Sequence, residues 1–315
     1  MNTSFLIGSP RSGTTILSQI LDLHPEIAQW YEPYFIWNFY LGTNTTDIHE
    51  SCEVTPQIRK FILKEFSIFR NKSKKKIVLD KSPEHSFHIP FNNEIFPEAK
   101  WIHLLRDGRD VVLSIHKEWH KRARIVQQKD FPAFINLAFQ MLSRQPFIRY
   151  KWKALYFELK KTKTLNPNRM LNKSKWQGKP GWGPRFQGWR EVLRNSTILE
   201  FNCYQWLQSI NKIYEDITIL PGKNILEIRY ENLVTNPRST LAKIFQFLEL
   251  EIPENFNERI PILKSDNFNK WQNEFTPTQK MEISPILTEK LIELGFEKNG
   301  NWAYIDSNSE KIKKN

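Results

Sequence analysis

The stretch FLIGSPRSGTTIL, residues 5–17, decides the fold of this 315-residue chain. An apolar strand runs through a turn of small residues into an apolar-periodic helix, whose first N–H groups point into the turn. Gly8 and Gly13 have the spacing of the phosphate-binding P-loop, but Thr14 stands where that motif needs a lysine. This difference disfavours a hydrolase of Mg²⁺-bound nucleotides. The basic residue is instead Arg11, inside the loop, whose planar guanidinium can bind two oxygens of a phosphate or sulfate group.

Two interpretations of this loop stay open from the stretch alone. It is a binding site for such an anion, or it is an ordinary strand-to-helix turn whose Ser and Thr side chains cap the helix.

A second strand, turn and helix follows at residues 99–114, AKWIHLLRDGRDVVLS, where Asp107 and Gly108 supply the turn. The strand of this second motif ends at Arg106. Ligands of open α/β sheets bind beyond the carboxyl ends of the strands, so this arginine is a second candidate for binding an anion.

Residues 10–15, PRSGTT, resemble the 5′-phosphosulfate loop of sulfotransferases that use 3′-phosphoadenosine 5′-phosphosulfate (PAPS). The loop is more similar to that of the tyrosylprotein sulfotransferases and their bacterial relatives than to that of the cytosolic small-molecule enzymes, which usually have lysine at the Arg11 position. The second motif resembles the 3′-phosphate motif of the same superfamily, which implies that Arg106 and Ser114 bind the ribose 3′-phosphate. The resemblance implies that the 5′-phosphosulfate is bound by Arg11, Ser12, Gly13, Thr14 and Thr15.

Two further residues are candidates for the chemistry. Glu32 lies among aromatic residues just past the first helix, and the tyrosylprotein sulfotransferases have their general base at the matching place, so the resemblance implies that role here. Lys81 ends a short buried strand, at the position where cytosolic sulfotransferases have a catalytic histidine. A protonated lysine cannot accept a proton, which strengthens Glu32 as the base. We expect Lys81 and Arg11 to stabilise negative charge during transfer, the alternative for Lys81 being a structural salt bridge to Asp80 or Glu84.

The remaining patterns predict an α/β fold with a P-loop-like central parallel sheet flanked by helices. A late strand at residues 224–230 and helices at residues 199–215 and 238–248 complete the core. Residues 269–271, NKW, resemble a C-terminal feature of tyrosylprotein-type enzymes, in which a basic residue approaches the nucleotide. Lys270 is the candidate for that contact.

We expect a single domain over residues 1–315, with a basic insertion at about residues 120–195 that covers the active site and admits an acceptor. The chain has a net charge of +12, and thirteen lysines and arginines against two glutamates between Arg149 and Arg194 give that stretch a charge of +11. A charge excess confined to one insertion, beside mononucleotide motifs, argues against nucleic acid. An acidic peptide, a glycan, a lipid and a small metabolite all stay open as acceptors. A solvated loop without a binding role is the alternative for the insertion.

Several classes of protein are disfavoured. Cys52 and Cys203 are too few for a disulfide scaffold or a zinc site, and His85 and His88 lack a carboxylate or thiolate that completes a ligand set, so we expect no metal. The first strand begins within a few residues of Met1, which leaves no room for a signal segment, and no run of about 18 apolar residues could span a membrane. These patterns predict a cytoplasmic protein without membrane association.

Two anion sites at two strand ends suit a nucleotide with phosphates at both ends of its ribose better than they suit ATP. The resemblance implies a sulfotransferase that moves the sulfuryl group of PAPS to a hydroxyl acceptor by in-line displacement, with Glu32 as base. His85 and His88 are the next candidates for the base. Two alternatives are a nucleotide- or polyanion-binding module without chemistry and an atypical P-loop kinase, although the chain lacks the loop lysine and a clear Walker-B carboxylate.

Overall fold

The structure is a computed structural model that describes residues 2–40, 46–127, 145–162, 182–263 and 268–304, and the single positions 132, 136, 139 and 143. In these residues five strands form one sheet: β1 (Thr3–Ile7), β2 (Ile27–Tyr31), β3 (Ile77–Lys81), β4 (Lys100–Leu105) and β5 (Ile225–Arg229). All neighbouring strands are parallel, in the spatial order β2-β3-β1-β4-β5. The predicted α/β fold with a central parallel sheet is confirmed.

Helices flank the sheet. In chain order they are α1 (Thr14–Asp22), α2 (Tyr34–Trp37), α3 (Pro56–Ser73), α4 (Ile89–Ile95), α5 (Gly108–Gln127), α6 (Ile148–Thr162), α7 (Trp189–Asn195), α8 (Ile198–Asp216), α9 (Tyr230–Thr235), α10 (Pro237–Leu248), α11 (Phe256–Arg259), α12 (Trp271–Glu274) and α13 (Pro277–Glu293). The predicted helices at residues 199–215 and 238–248 are α8 and α10, and the predicted late strand is β5. The sequence reasoning did not identify β2.

The central strands β1 and β3 are buried along their whole length, because a parallel sheet is covered on both faces. Along β1, Phe5 and Ile7 belong to one core cluster and Leu6 to the other, as the alternation of a strand requires. The first cluster is rich in aromatic residues, and Trp30 of β2 stacks on Phe69 of α3 with ring centroids 4.3 Å apart. The second is mainly aliphatic. Burial of these side chains on both faces fixes the position of each strand end.

The loop after β1 leaves the sheet between two neighbouring strand ends. The register places Leu6 opposite Lys81 of β3 and Ile7 opposite His103 of β4. Residues 8–13 therefore emerge between the carboxyl ends of β3 and β4. This is the point at which the strand order reverses direction, and ligands of open α/β sheets bind there.

Helix α6 belongs to the predicted insertion and is anchored in the aromatic core. Tyr150 and Ala154 are fully buried. The ring of Tyr150 lies 4.9 Å from that of Trp30 and 6.0 Å from that of Phe69, between centroids. This helix of the insertion is thus packed against the sheet domain, whereas residues 163–181 lie outside the described residues.

Part of the basic charge of the insertion is neutralised within the protein. The buried carboxylate of Glu65 on α3 accepts hydrogen bonds from Arg149 at 3.0 Å and from Lys153 at 2.6 Å. The guanidinium of Arg185 lies 2.7 Å from the carboxylate of Asp47, which is also buried. A buried carboxylate needs such partners. The charge that the insertion offers to a ligand is therefore smaller than the count of basic residues suggests.

Within the described residues, none of the helices combines the length and the apolar character that crossing a membrane requires. Cys52 is exposed, Cys203 is buried, and neither forms a disulfide. Burial raises the pKa of the Cys203 thiol well above its ordinary value, which keeps it protonated and unreactive.

Replacement of Gly13 by alanine tests the fit between the loop and Tyr230, the first residue of α9. Gly13 has a φ of 102°, and an added Cβ would overlap with the ring of Tyr230. We expect Gly13→Ala to reduce the free energy of unfolding by about 1–3 kcal/mol, measured by urea denaturation without ligand. Gly222→Ala is the control, because its added Cβ meets nothing within 4 Å. Equal unfolding midpoints for the two variants would contradict this packing.

Candidate active site

The loop at residues 8–13 leaves the N-terminus of α1 open. Gly13 is the N-cap residue, and no side chain caps the helix, so the interpretation of the loop as an ordinary capped turn is wrong. The N–H of Ser12 donates to the carbonyl of Ser9 at 3.1 Å. Both hydroxyl oxygens, Ser9 Oγ and Ser12 Oγ, are buried and have no hydrogen-bond partner in the described part of the chain. Such groups are costly unless a ligand or water pairs with them, so the loop fits an anion.

Thr14 and Thr15 are the first two residues of α1. Thr14 is buried and Thr15 is half-buried. Their main-chain N–H groups belong to the first turn, where a helix has no internal acceptor for them. The predicted loop residues therefore share one small volume at the helix N-terminus.

The second motif lies directly against the loop. Arg11 Nε donates to Ser114 Oγ of α5 at 3.0 Å, and Arg106 Nη1 donates to the main-chain carbonyl of Arg11, also at 3.0 Å. The guanidinium of Arg106 lies over the ring of Tyr230 at 4.4 Å from its centroid. The structure thus brings the residues of two motifs together across about a hundred positions of sequence, and places two guanidinium groups beside one loop.

Glu32 and Lys81 form an ion pair at the ends of β2 and β3. Lys81 Nζ donates to Glu32 Oε1 at 2.6 Å, and the N–H of Glu32 donates to the carbonyl of Lys81 at 3.0 Å. The Lys81 side chain is 3% exposed and that of Glu32 is 33% exposed. The ammonium group also lies 4.7 Å from the ring centroid of Tyr31. The Glu32 carboxylate is therefore the solvent-accessible member of this pair, and the Lys81 ammonium group is the buried member.

The backbone of two predicted catalytic residues is held in the left-handed region. Arg11 has a φ of 70° and Glu32 a φ of 46°. Lys74 and Glu249 also have positive φ, but both are helix C-caps, where this conformation is usual. Neither Arg11 nor Glu32 ends a helix. Left-handed backbone at a residue other than glycine is strained, and such residues cluster at functional sites.

The segment that contains Lys270 is fixed beside Arg106. Asp110 of α5 accepts a hydrogen bond from the N–H of Asn269 at 2.6 Å and another from the N–H of Trp271 at 3.1 Å. The same carboxylate lies 3.9 Å from Arg106 Nη2. Lys270 is half-buried between the two anchored residues. The structure thus brings the segment of the predicted C-terminal residue close to the second motif.

His85 and His88 are buried in the interior. His85 Nε2 lies 3.0 Å from Asp80 Oδ1, and its Nδ1 lies 2.9 Å from the amide nitrogen of Asn92. Burial, together with the nearby His49, holds the pKa of His88 well below its ordinary value. Both histidines therefore have structural surroundings, which disfavours them as the base. In the described ranges no three His, Cys, Asp or Glu side chains form a group that could hold a metal ion.

Sequence reasoning missed Asp110 and Tyr230 as parts of this site. The position of Asp110, four residues after Arg106, was a signal, because a carboxylate in the first turn of a helix is available to neighbouring N–H groups. Tyr230 gave no local signal, since its ring contacts Arg106 only after β5 is placed beside β4.

Comparisons with known proteins identify the family to which this chain is similar. The model of the family described as "Sulfotransferase family" matches residues 4–145 and 183–254. The chain is 28% identical over 130 residues to nodulation protein NoeE of Sinorhizobium fredii, which covers 36% of this chain and 31% of the relative. It is 28% identical over 127 residues to protein-tyrosine sulfotransferase A of Caenorhabditis elegans, covering 35% of this chain and 32% of the relative. The matched part spans about a third of the length of these two relatives.

Solved structures share the fold at low sequence identity. The sulfotransferase domain from the curacin biosynthetic pathway superposes with a TM-score of 0.53 at 13% identity, covering 92% of this chain and 98% of that one. The sulfotransferase domain of the Synechococcus PCC 7002 olefin synthase gives 0.51 at 15% identity, covering 92% and 94%. The family match covers more than half of the sequence and includes the loop, Glu32, Lys81 and the second motif. The chain therefore belongs to the sulfotransferase family.

Proposed function

We propose that this protein transfers the sulfuryl group of PAPS to a hydroxyl acceptor. The observation that carries the proposal is the direct contact between the two anion-binding motifs, Arg11 to Ser114 and Arg106 to the Arg11 carbonyl. A ligand that engages both motifs needs two separate anionic groups a few ångströms apart. A nucleotide with a 5′-phosphosulfate and a ribose 3′-phosphate has them, whereas the phosphates of ATP extend from one end of the ribose.

The residues present fit such a nucleotide. The open N-terminus of α1 and the unpartnered hydroxyls of Ser9 and Ser12 offer hydrogen bonds to the oxygens of the 5′-phosphosulfate. Arg11 is exposed and has no carboxylate partner among the described side chains, so its charge is available to an anion. Arg106 and Ser114 would hold the 3′-phosphate. When bound, PAPS supplies an activated sulfuryl group whose leaving group is a phosphate oxygen.

Glu32 and Lys81 would carry the chemistry. Glu32 is the group at the open side of the ion pair, and its role is to accept the proton of the acceptor hydroxyl as that oxygen attacks sulfur. Lys81 is held within 2.6 Å of Glu32 and is surrounded by protein, so its ammonium group is positioned to stabilise negative charge on the sulfuryl and leaving oxygens. Arg11 adds a second fixed positive charge from the loop. These fixed cations give the site its own charge stabilisation.

The acceptor is proposed to enter from the side covered by the insertion. An acidic peptide, a glycan or a small metabolite suits the net positive charge of that segment. Both cysteines are unpaired, which supports the proposed location in a reducing, cytoplasmic compartment.

The first test concerns the second anion site. We expect 3′,5′-ADP to raise the melting temperature more than 5′-AMP, and Arg106→Ala to remove most of that difference. A hydrogen bond between charged groups contributes about 1.5–3 kcal/mol, so the affinity for 3′,5′-ADP should fall at least tenfold in calorimetric titration.

Lys100→Ala is the matched control. Lys100 is the first residue of β4 and contacts Glu249, so it lies about 20 Å from Arg106 at the opposite end of the same strand. Its replacement should leave the difference between the two nucleotides unchanged. Equal melting shifts for both nucleotides in the unmodified protein would remove the assignment of Arg106.

The second test concerns the base. We expect Glu32→Gln to retain 3′,5′-ADP binding and to lower kcat by about 10²–10⁴-fold, because the amide keeps the shape but cannot accept the proton. Lys81→Ala should also lower kcat while nucleotide binding is retained. Both are measured with labelled PAPS and an acceptor found by screening acidic peptides, glycans and small metabolites.

Glu26→Gln is the control for the base. Glu26 lies 3.6 Å from Lys76 at the other ends of β2 and β3, so it forms an exposed glutamate-lysine pair away from the site. Its replacement should leave kcat unchanged. A Glu32→Gln protein with the turnover of the unmodified enzyme would show that another group takes the proton.

A further inference from the structure

Asp110 is a buried carboxylate that none of the proposed steps uses. It lies in the first turn of α5, and its side chain is 1% exposed. Burial raises the pKa of Asp110, although Arg106 and the N–H groups of Trp271 and Asn269 act in the opposite direction. The folded protein therefore keeps this carboxylate where its charge is poorly solvated. A charge held under such conditions beside a binding site is a candidate for a functional role.

The contacts of Asp110 join two parts of the chain. One carboxylate oxygen, Oδ2, accepts from the N–H of Asn269 and the other, Oδ1, accepts from the N–H of Trp271, at 2.6 and 3.1 Å. These two residues are the neighbours of Lys270 on either side. Asn269 has a φ of 58°, a left-handed conformation at the bend where this segment meets Asp110. The backbone around Lys270 is thus held at both ends by a single side chain.

The other neighbour of Asp110 is the second motif. Its Oδ2 lies 3.9 Å from Arg106 Nη2. Ser114, which accepts from Arg11, is one turn further along α5, on the same face of the helix as Asp110. Asp110 therefore stands between the residues that would hold the 3′-phosphate and the segment that carries Lys270.

We propose that Asp110 is a positioning residue that fixes the segment 269–271 against Arg106, so that Lys270 contributes to nucleotide binding only while Asp110 holds its backbone. This inference rests on the proposed binding of a 3′-phosphorylated nucleotide. It adds a coupling between the first turn of α5 and the C-terminal segment. In this role Asp110 acts through the backbone of residues 269–271 and not on the nucleotide itself.

A double-mutant cycle tests the coupling. The variants are Lys270→Ala, Asp110→Asn and the double variant, and the measurement is the dissociation constant of 3′,5′-ADP by isothermal titration calorimetry. Asparagine keeps the size of the side chain and one oxygen acceptor but loses the charge and the second acceptor. We expect Lys270→Ala to weaken binding roughly tenfold in the unmodified background and less than about twofold in the Asp110→Asn background.

A second readout needs no ligand. Hydrogen exchange of the main-chain amides of Asn269 and Trp271 should become faster in Asp110→Asn, because both hydrogen bonds lose their charged acceptor. Exchange in α1 should be unchanged. A general loss of stability would instead accelerate exchange in both regions.

Asp216→Asn is the matched control for the cycle. Asp216 ends α8, its side chain is 6% exposed, and it pairs with Lys212 at 2.8 Å, so it is another buried carboxylate with a cation. Asp216 precedes the first residue of β5 by nine positions, whereas the site is formed by residues that follow the strands. Combined with Lys270→Ala, it should leave the tenfold effect of that substitution intact.

The outcomes separate the two proposals. An equal effect of Lys270→Ala in the unmodified and Asp110→Asn backgrounds, or no effect in either, overturns the positioning role and leaves the proposed function standing. Failure of the unmodified protein to bind 3′,5′-ADP overturns the proposed function itself. Strong coupling together with faster local exchange supports the positioning role.

Discussion

Five strands run in the same direction and end at one edge of the sheet, so the side chains that follow them share a small volume. Three positively charged side chains, Arg11, Lys81 and Arg106, lie at this edge, and like charges held in one small volume repel one another. Lys81 is balanced by Glu32, and Arg106 by the Arg11 carbonyl and by Asp110. Arg11 makes its described contact with a neutral hydroxyl. A bound anion completes the charge balance of the edge, which is why the arrangement favours a strongly anionic ligand.

A buried network of polar side chains lies at the end of β3, next to Lys81. Asp80 and Lys81 are consecutive residues of β3, so their side chains point to opposite faces of the sheet. Asp80 is fully buried and accepts from Trp37 Nε1 at 2.7 Å and from Ser82 Oγ at 2.9 Å. His85 completes the network on the same carboxylate. The hydrogen bonds to Asp80 restrict the end of β3, which holds Lys81 in place.

Structural features that depend on a short stretch of the chain could be predicted from the sequence. The two strand-turn-helix motifs, which end their strands before the loop and before Arg106, follow from local spacing, and the structure has both. The hydrogen bond between Arg11 and Ser114 could not be derived in this way, because it joins residues 103 positions apart through the order of the strands. β2 was missed because it is a short edge strand next to an aromatic-rich segment. The partner of Glu65 was open to inference, since a carboxylate at a core position of a helix requires a cation.

The way α6 is attached to the core determines which parts of the protein are affected by substitutions in this helix. The family match stops at residue 145 and resumes at residue 183, so α6 lies in the unmatched part. Its attachment uses the ring of Tyr150 and the ion pairs of Glu65, none of which touches the loop or the strand-end arginines. Substitutions and length changes in this part can therefore accumulate without disturbing the strand ends that form the candidate site. Because the insertion is proposed to admit the acceptor, exchanging residues 146–182 between relatives is a direct way to change the acceptor while the strand ends are kept.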